Sequence, residues 1–217
     1  MIARIVLCGV LLWPVATLAE SNADEGARLV AEFVNEMTTL QGRFEQSLLA
    51  ADGDVVERTR GTLEIQRPGQ FRWTYSEPYE QVLVADGLNI WSYDVDLAQV
   101  TVKPQQEALA NTPALLLSGA HDAMQQFNND GSFVEAGTTW VQLSPKNTES
   151  GFLRVDLGFK NGTLSRMVFY DNLEQTTLVA LHDVVTNAAI AADRFRFTVP
   201  ADADVVGTPA VAAATTP

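Results

Sequence analysis

Arg67-Pro68-Gly69-Gln70-Phe71-Arg72-Trp73-Thr74-Tyr75, continued by Gln81-Val82-Leu83-Val84-Ala85-Asp86-Gly87-Leu88-Asn89-Ile90-Trp91-Ser92-Tyr93, is the stretch whose reading decides the fold. Pro-Gly breaks the chain, and a period of two follows, so Phe71, Trp73 and Tyr75 share one face of a strand while Arg72 and Thr74 take the other. Asp86-Gly87 between two alternating runs is a hairpin signal. Three aromatics on one face fill a core or line a hollow, and periodicity alone favours the core.

The same alternation extends in both directions. Residues 42–50, 55–66, 70–76, 80–85, 88–93 and 98–102 read as strands, with Asp52-Gly53 as a further turn. A second run covers 132–135, 139–143, 152–159, 163–171, 174–184 and 194–198, with Asn161-Gly162 as its clearest hairpin. Between the runs, Thr112 caps and Pro113 opens a short helix, and Ala114–Leu117 and Ala123–Phe127 are short apolar helical pieces. Before the first run, Ser21 and Asn22 cap a helix with Asp24 and Glu25 in its first turn, and Val30, Phe33, Val34, Met37 and Leu40 recur at helical spacing. Helix, strands, helices, strands, with short connections, describes an α+β domain around one large antiparallel sheet.

Residues 1–19 begin with Arg4, continue through an apolar run from Ile5 to Val15 and end in Thr17-Leu18-Ala19. That is the pattern of a secretory signal peptide cut after Ala19, too short for a membrane span. The mature chain is then expected outside the cytoplasm. Cys8, the one cysteine, falls inside the leader, where Leu7 and its distance from the cleavage point disfavour a lipidation site. No disulfide or thiolate metal site is expected. Residues 20–206 suit a single domain, and 207–217, made of Ala, Thr, Pro, Val and Gly without periodicity, read as a disordered tail. The net charge of −13 argues against nucleic acid and anionic lipid headgroups as partners.

Chemistry is hard to assemble from these residues. His121 and His182 are far apart, and no nucleophile, metal or phosphate motif is present, so no catalytic residue, metal or cofactor is expected. Asn128-Asn129-Asp130-Gly131 resembles part of a calcium loop, but with Gly131 at position six, Gln126 and Gly137 fall where acids are required, so it reads as a turn. Asp94 and Asp96 read as solvated loop acids.

The ordered set formed by the opening stretch, Asp96-Leu97-Ala98-Gln99-Val100-Thr101, Asn111-Thr112-Pro113-Ala114-Leu115-Leu116-Leu117 and Phe195-Arg196-Phe197-Thr198-Val199-Pro200 resembles the LolA family of periplasmic lipoprotein carriers. The resemblance implies an incomplete antiparallel β-barrel of about eleven strands with a helical lid over an apolar cavity. It implies a monomeric periplasmic chaperone that takes triacylated lipoproteins from the inner-membrane LolCDE transporter to the outer-membrane receptor LolB. Arg67 matches the family arginine that latches the lid, with acceptors expected among the carbonyls of residues 115–118. Phe71 and Trp73 match the aromatic strand, and Leu115, Leu116 and Leu117 the apolar lid. Arg72 departs from the family pattern, standing where a neutral residue is common. The alternative reading is a lipid-binding sensor domain of the related half-barrel family.

Overall fold

In the computed structural model, residues 18–109, 117, 119, 123–147 and 150–211 are described. Helix α1 (Leu18–Asn35) leads into eleven antiparallel strands: β1 (Thr39–Leu49), β2 (Val55–Gln66), β3 (Gln70–Glu77), β4 (Gln81–Asp86), β5 (Asn89–Asp94), β6 (Gln99–Pro104), β7 (Phe127–Glu135), β8 (Thr138–Pro145), β9 (Phe152–Lys160), β10 (Thr163–Asp171) and β11 (Thr176–Thr186). A three-residue strand, β12 (Asp204–Val206), adds in parallel to β6. The sheet order is β12-β6-β5-β4-β3-β2-β1-β11-β10-β9-β8-β7, so its edges, β12 and β7, do not pair and the barrel is incomplete. A short helix, α2 (Gln105–Leu109), follows β6.

The alternation sorts side chains to two faces. Phe44, Leu63, Ile65, Phe71, Val155 and Leu157 are buried on the inner face in one continuous apolar cluster. Helix α1 brings its stripe to this cluster: Leu29, Val30 and Phe33 are buried, and the Phe33 ring meets Phe159 edge-on at 6.0 Å. Close approach to the sheet is possible at Gly26, where a Cβ would come within 2.4 Å of Ser132 Cβ.

The opening hairpin is braced by polar side chains. Asp86 Oδ1 accepts from the backbone N–H groups of Leu88 and Asn89 at 2.8 and 2.7 Å, and its Oδ2 accepts from Trp91 Nε1 at 2.7 Å. Gln105 of α2 donates to the Gly69 carbonyl at 2.6 Å and accepts from Gly87 N–H at 3.0 Å, tying together the turns before β3 and after β4. Asp86 and Trp91 of the motif are therefore scaffolding.

Three expectations change. Residues 194–198 do not form a strand: Ala192–Phe195 is a 3-10 turn lying against β3 and β4, with Phe195 fully buried and Phe197 stacked on Trp91 at 5.6 Å. Packing of these two rings on the outer face of the sheet overrides β-propensity. Ala123–Gln126 is likewise a 3-10 turn, and Phe127 already belongs to β7, where Asn129 and Gly131 mark a register shift. The chain beyond Gly207 does not at once leave the fold, because the buried Asn89 side chain donates to the Ala210 carbonyl at 3.0 Å and accepts from its N–H at 2.7 Å. A buried amide of this kind needs such partners. Thr112, Pro113 and His121 lie outside the described residues.

Candidate lidded cavity

The three aromatics of β3 do not all pack into solid core. With Leu63 and Ile65 of β2, Phe169 of β10 and Leu117, they line an apolar cavity of about 250 Å³. Phe71, Trp73 and Leu117 are 4, 9 and 7 % exposed, so this part of the wall is shielded from bulk water, whereas Tyr75, Leu83, Phe152 and Phe169 are half-buried and the hollow is open on their side. Its volume lies below the roughly 300–1,000 Å³ of ordinary small-molecule sites. As it stands it has room for part of one hydrocarbon chain. Hollows on the outer face are larger but mixed: one of about 450 Å³ has Glu45, Glu135 and Asp156 in its wall.

The walls come from alternation. Leu63 faces Trp73 and Ile65 faces Phe71 across the β2–β3 ladder, and Leu83 of β4 lies opposite Trp73 on the other side. The Trp73 ring meets Phe44 at 4.9 Å, and Phe44 meets Tyr75 at 5.2 Å. Burial, with the charge of Glu57 second, pushes the Tyr75 phenol up to about 12, so it stays neutral at any physiological pH. The Trp73 indole N–H is buried and has no hydrogen-bond acceptor among the described residues.

Arg67 stands at one end of this cavity. Its Nη1 donates to the carbonyls of Phe33, Val34 (2.9 Å) and Met37 (3.4 Å), and its Nε donates to the carbonyl of Leu117 at 3.3 Å. The Arg67 Cζ also lies 4.7 Å from the centroid of the Phe33 ring. The last carbonyls of a helix have no partner within it, and a cation there is favoured by the helix dipole. The last turn of α1 holds no basic residue of its own, and the turn before β3 supplies one. Burial lowers the guanidinium to about 10, which leaves it charged at neutral pH.

The expected acceptors at 115–118 are thus represented by Leu117, while α1 and the turn after it supply the others named; Leu115, Leu116 and Ser118 lie outside the described residues. Gly119 is part of the same arrangement. At φ +66° it sits against the arginine, where a Cβ would fall 2.1 Å from Arg67 Cδ. The sequence offers a signal for Gly119 in a lone glycine just beyond an apolar run, and for α1 in a helix end without a basic residue. Arg72, the departure from the family pattern, points outward and donates to the Arg194 carbonyl at 3.3 Å, while the Arg194 side chain pairs with Glu64 at 2.6 Å. It holds the 3-10 turn on the sheet and takes no part in the cavity.

Comparison with known proteins agrees with this architecture. The family model for the outer membrane lipoprotein carrier protein LolA matches residues 35–198. An outer-membrane lipoprotein carrier protein of Nitrosomonas europaea is 38% identical over 203 residues, covering 93% of this chain and 96% of that one. One from Methylobacillus flagellatus is 39% identical over 183 residues, covering 84% and 89%. Among solved structures, an uncharacterized conserved protein from Thermus thermophilus superimposes with a TM-score of 0.52 at 16% identity, over 85% of this chain and 98% of that one. This last likeness concerns the fold.

Proposed function

Because the chain belongs to the LolA family of outer-membrane lipoprotein carrier proteins, we propose that it is a periplasmic chaperone that shields the acyl chains of lipoproteins on their way to the outer membrane. The observation that carries this reading is the apolar cavity lined in part by Leu117, whose carbonyl is held by an arginine whose contacts described above are all to neutral groups. Each methylene removed from water is worth about 0.8 kcal/mol, so one acyl chain of ordinary length needs an apolar refuge worth roughly 10 kcal/mol. A cavity of 250 Å³ cannot provide that without opening.

The roles follow from this requirement. Arg67 is the latch: its bonds hold Leu117 and the end of α1 together over the empty cavity, and must be given up when cargo enters. Phe71, Trp73 and Leu117 form the surface offered to acyl chains, and Leu115 and Leu116 extend the lid. Closure on release returns the latch energy and helps delivery. Residues 1–19 are the leader that takes the protein to the periplasm, where it works as a monomer. The donor is the LolCDE transporter and the acceptor the LolB receptor, with triacylated lipoproteins as cargo.

Incubation of spheroplasts with the purified protein tests this reading. Newly made outer-membrane lipoproteins should appear in the supernatant as soluble one-to-one complexes. Supernatant with the protein no richer in lipoprotein than supernatant without it would overturn the proposal.

A further inference from the structure

The inner face of β2 to β5 changes character along the strands. Directly paired residues share a face, so the ladders sort these side chains into levels about 6.6 Å apart. At the level nearest the latch, Ile65, Phe71, Ala85 and Ile90 are paired in turn across the four strands, and all are apolar. At the next, Leu63, Trp73, Leu83 and Ser92 are paired in the same way. At the third, Tyr75 pairs with Gln81, and Gln81 with Asp94. Strand β2 follows the same trend, since Gln46 of β1, in the cavity wall, faces Thr59, and Leu48, two residues on, faces Glu57. The face that begins as a wall for hydrocarbon ends in two carboxylates.

A second hollow, of about 450 Å³, continues the apolar cavity across this boundary. Gln46 and Tyr75 line both, and the wall of the second holds Glu57, Asp94 and Asp96 and, among the described residues, no cation. The cations of β2, Arg58 and Arg60, alternate to the outer face, where Arg60 pairs with Glu77. The turns at the two ends of the sheet differ in the same sense. Those at the Tyr75 end, after β1, β3, β5 and β10, carry Asp52, Asp54, Glu80, Asp96 and Glu174, whereas those at the Arg67 end, after β2, β4, β7 and β9, carry no carboxylate. An acyl chain in the apolar cavity therefore has neutral surroundings at its inner end and a negative field at the open one.

Resting on the carrier reading above, we infer that a cargo acyl chain lies along β3 with its tail toward Phe71 and its head at the Tyr75 level, and that Glu57 and Asp94 make the site discriminate against a negatively charged head. The anchor of a triacylated lipoprotein, built from esters and an amide, bears no charge beside its chains. An acidic phospholipid brings its phosphate into a hollow that already holds carboxylates. Repulsion there is only partly screened, because protein of low polarisability forms one side of the hollow. The carrier then draws lipoproteins, rather than acidic lipids with the same chains, out of one bilayer.

The test uses the leaderless protein and two dioctanoyl lipids below their micellar concentrations, one with a trimethylammonium head and one with a phosphatidylglycerol head, measured by titration calorimetry. At low salt, wild type should bind the cationic lipid about tenfold more tightly than the anionic one, and the ratio should shrink in about 1 M salt, where charges are screened beyond roughly 3 Å. Glu57→Gln/Asp94→Asn should lower that ratio about fivefold. Glu107→Gln/Glu135→Gln, which removes the same charge from α2 and from the last residue of β7 at the Arg67 end, should leave it as in wild type. Equal binding of the two lipids by wild type, a ratio unchanged in Glu57→Gln/Asp94→Asn, or an equal fall in both double variants would each overturn the inference while leaving the carrier reading intact. Failure of wild type to bind either lipid would overturn both. Should Glu57→Gln/Asp94→Asn not fold, Glu57→Gln alone, at an exposed position, decides the matter by the same ratio.

Discussion

The inner face of one sheet is treated in two ways. Over β7 to β9 it is covered by α1, whose Leu29 and Phe33 fill the space against Val141, Leu143 and Phe159, all at most 7 % exposed. Over β2 to β4 the same kind of strand, with the same alternation, faces a hollow that Leu117 helps to line, its carbonyl held by Arg67. The filled half uses its apolar surface for stability. The hollow half withholds part of that stabilisation, since a cavity wall lacks contacts on one side. On the proposed carrier reading, what separates a core from a binding site is whether the covering segment can leave.

The sharpest way to break this comparison is a charge in the hollow half. Phe71→Glu should reduce lipoprotein release from spheroplasts about a hundredfold or more, because a carboxylate in the hollow opposes any acyl chain, yet the protein should still fold. Retention of release by Phe71→Glu would remove Phe71 from the site. Truncation tests the stability side. Leu143→Ala in the filled half should cost about 3 kcal/mol, or roughly 10 °C in melting temperature, while Leu83→Ala at the cavity wall should cost less than half of that. Equal losses would mean the two halves are packed alike.

Smaller effects are expected beside Arg67. Gly119→Ala puts a methyl group against Arg67 at a positive φ, and should raise the open fraction about tenfold, seen as faster uptake of a fluorescent fatty acid with little change in melting temperature. Unchanged uptake would show that Arg67 yields without opening the lid. The smallest change lies outside both halves. Removing residues 208–217 deprives Asn89 of the partners it finds at Ala210, and should lower the melting temperature by a few degrees without altering uptake. A loss of uptake would give the segment a role in the cavity.

Much of this is legible in the sequence because strands announce themselves by a period of two and turns by Asp-Gly and Asn-Gly, and β1 to β6 and β8 to β11 fall within about three residues of their expected places; β7 instead begins at Phe127 rather than at 132, running through Asn128-Asn129-Asp130-Gly131, which reads as a turn. The segment at 194–198 reads as a strand because Phe195 and Phe197 alternate like one, yet both rings are held by packing against neighbours distant in the chain. Phe71, Trp73 and Leu117 can be named from pattern and resemblance, but their side chains look the same in a core and in a cavity. The difference depends on what stands opposite, which no local period encodes. For the same reason the carbonyls that Arg67 binds at the end of α1 escape a reading of the sequence: backbone acceptors leave no mark in it.

The central claim is the latch, and Arg67→Leu tests it most directly when loading and delivery are measured on the same protein. Loss of a charged donor from several carbonyls removes about 1.5–3 kcal/mol from the closed state, which shifts the open-to-closed ratio about ten- to a hundredfold. Arg67→Leu should therefore take lipoprotein from spheroplasts at least as well as wild type and pass it to outer membranes at least tenfold more slowly, because closure no longer favours release. Delivery by Arg67→Leu at the wild-type rate would contradict the account.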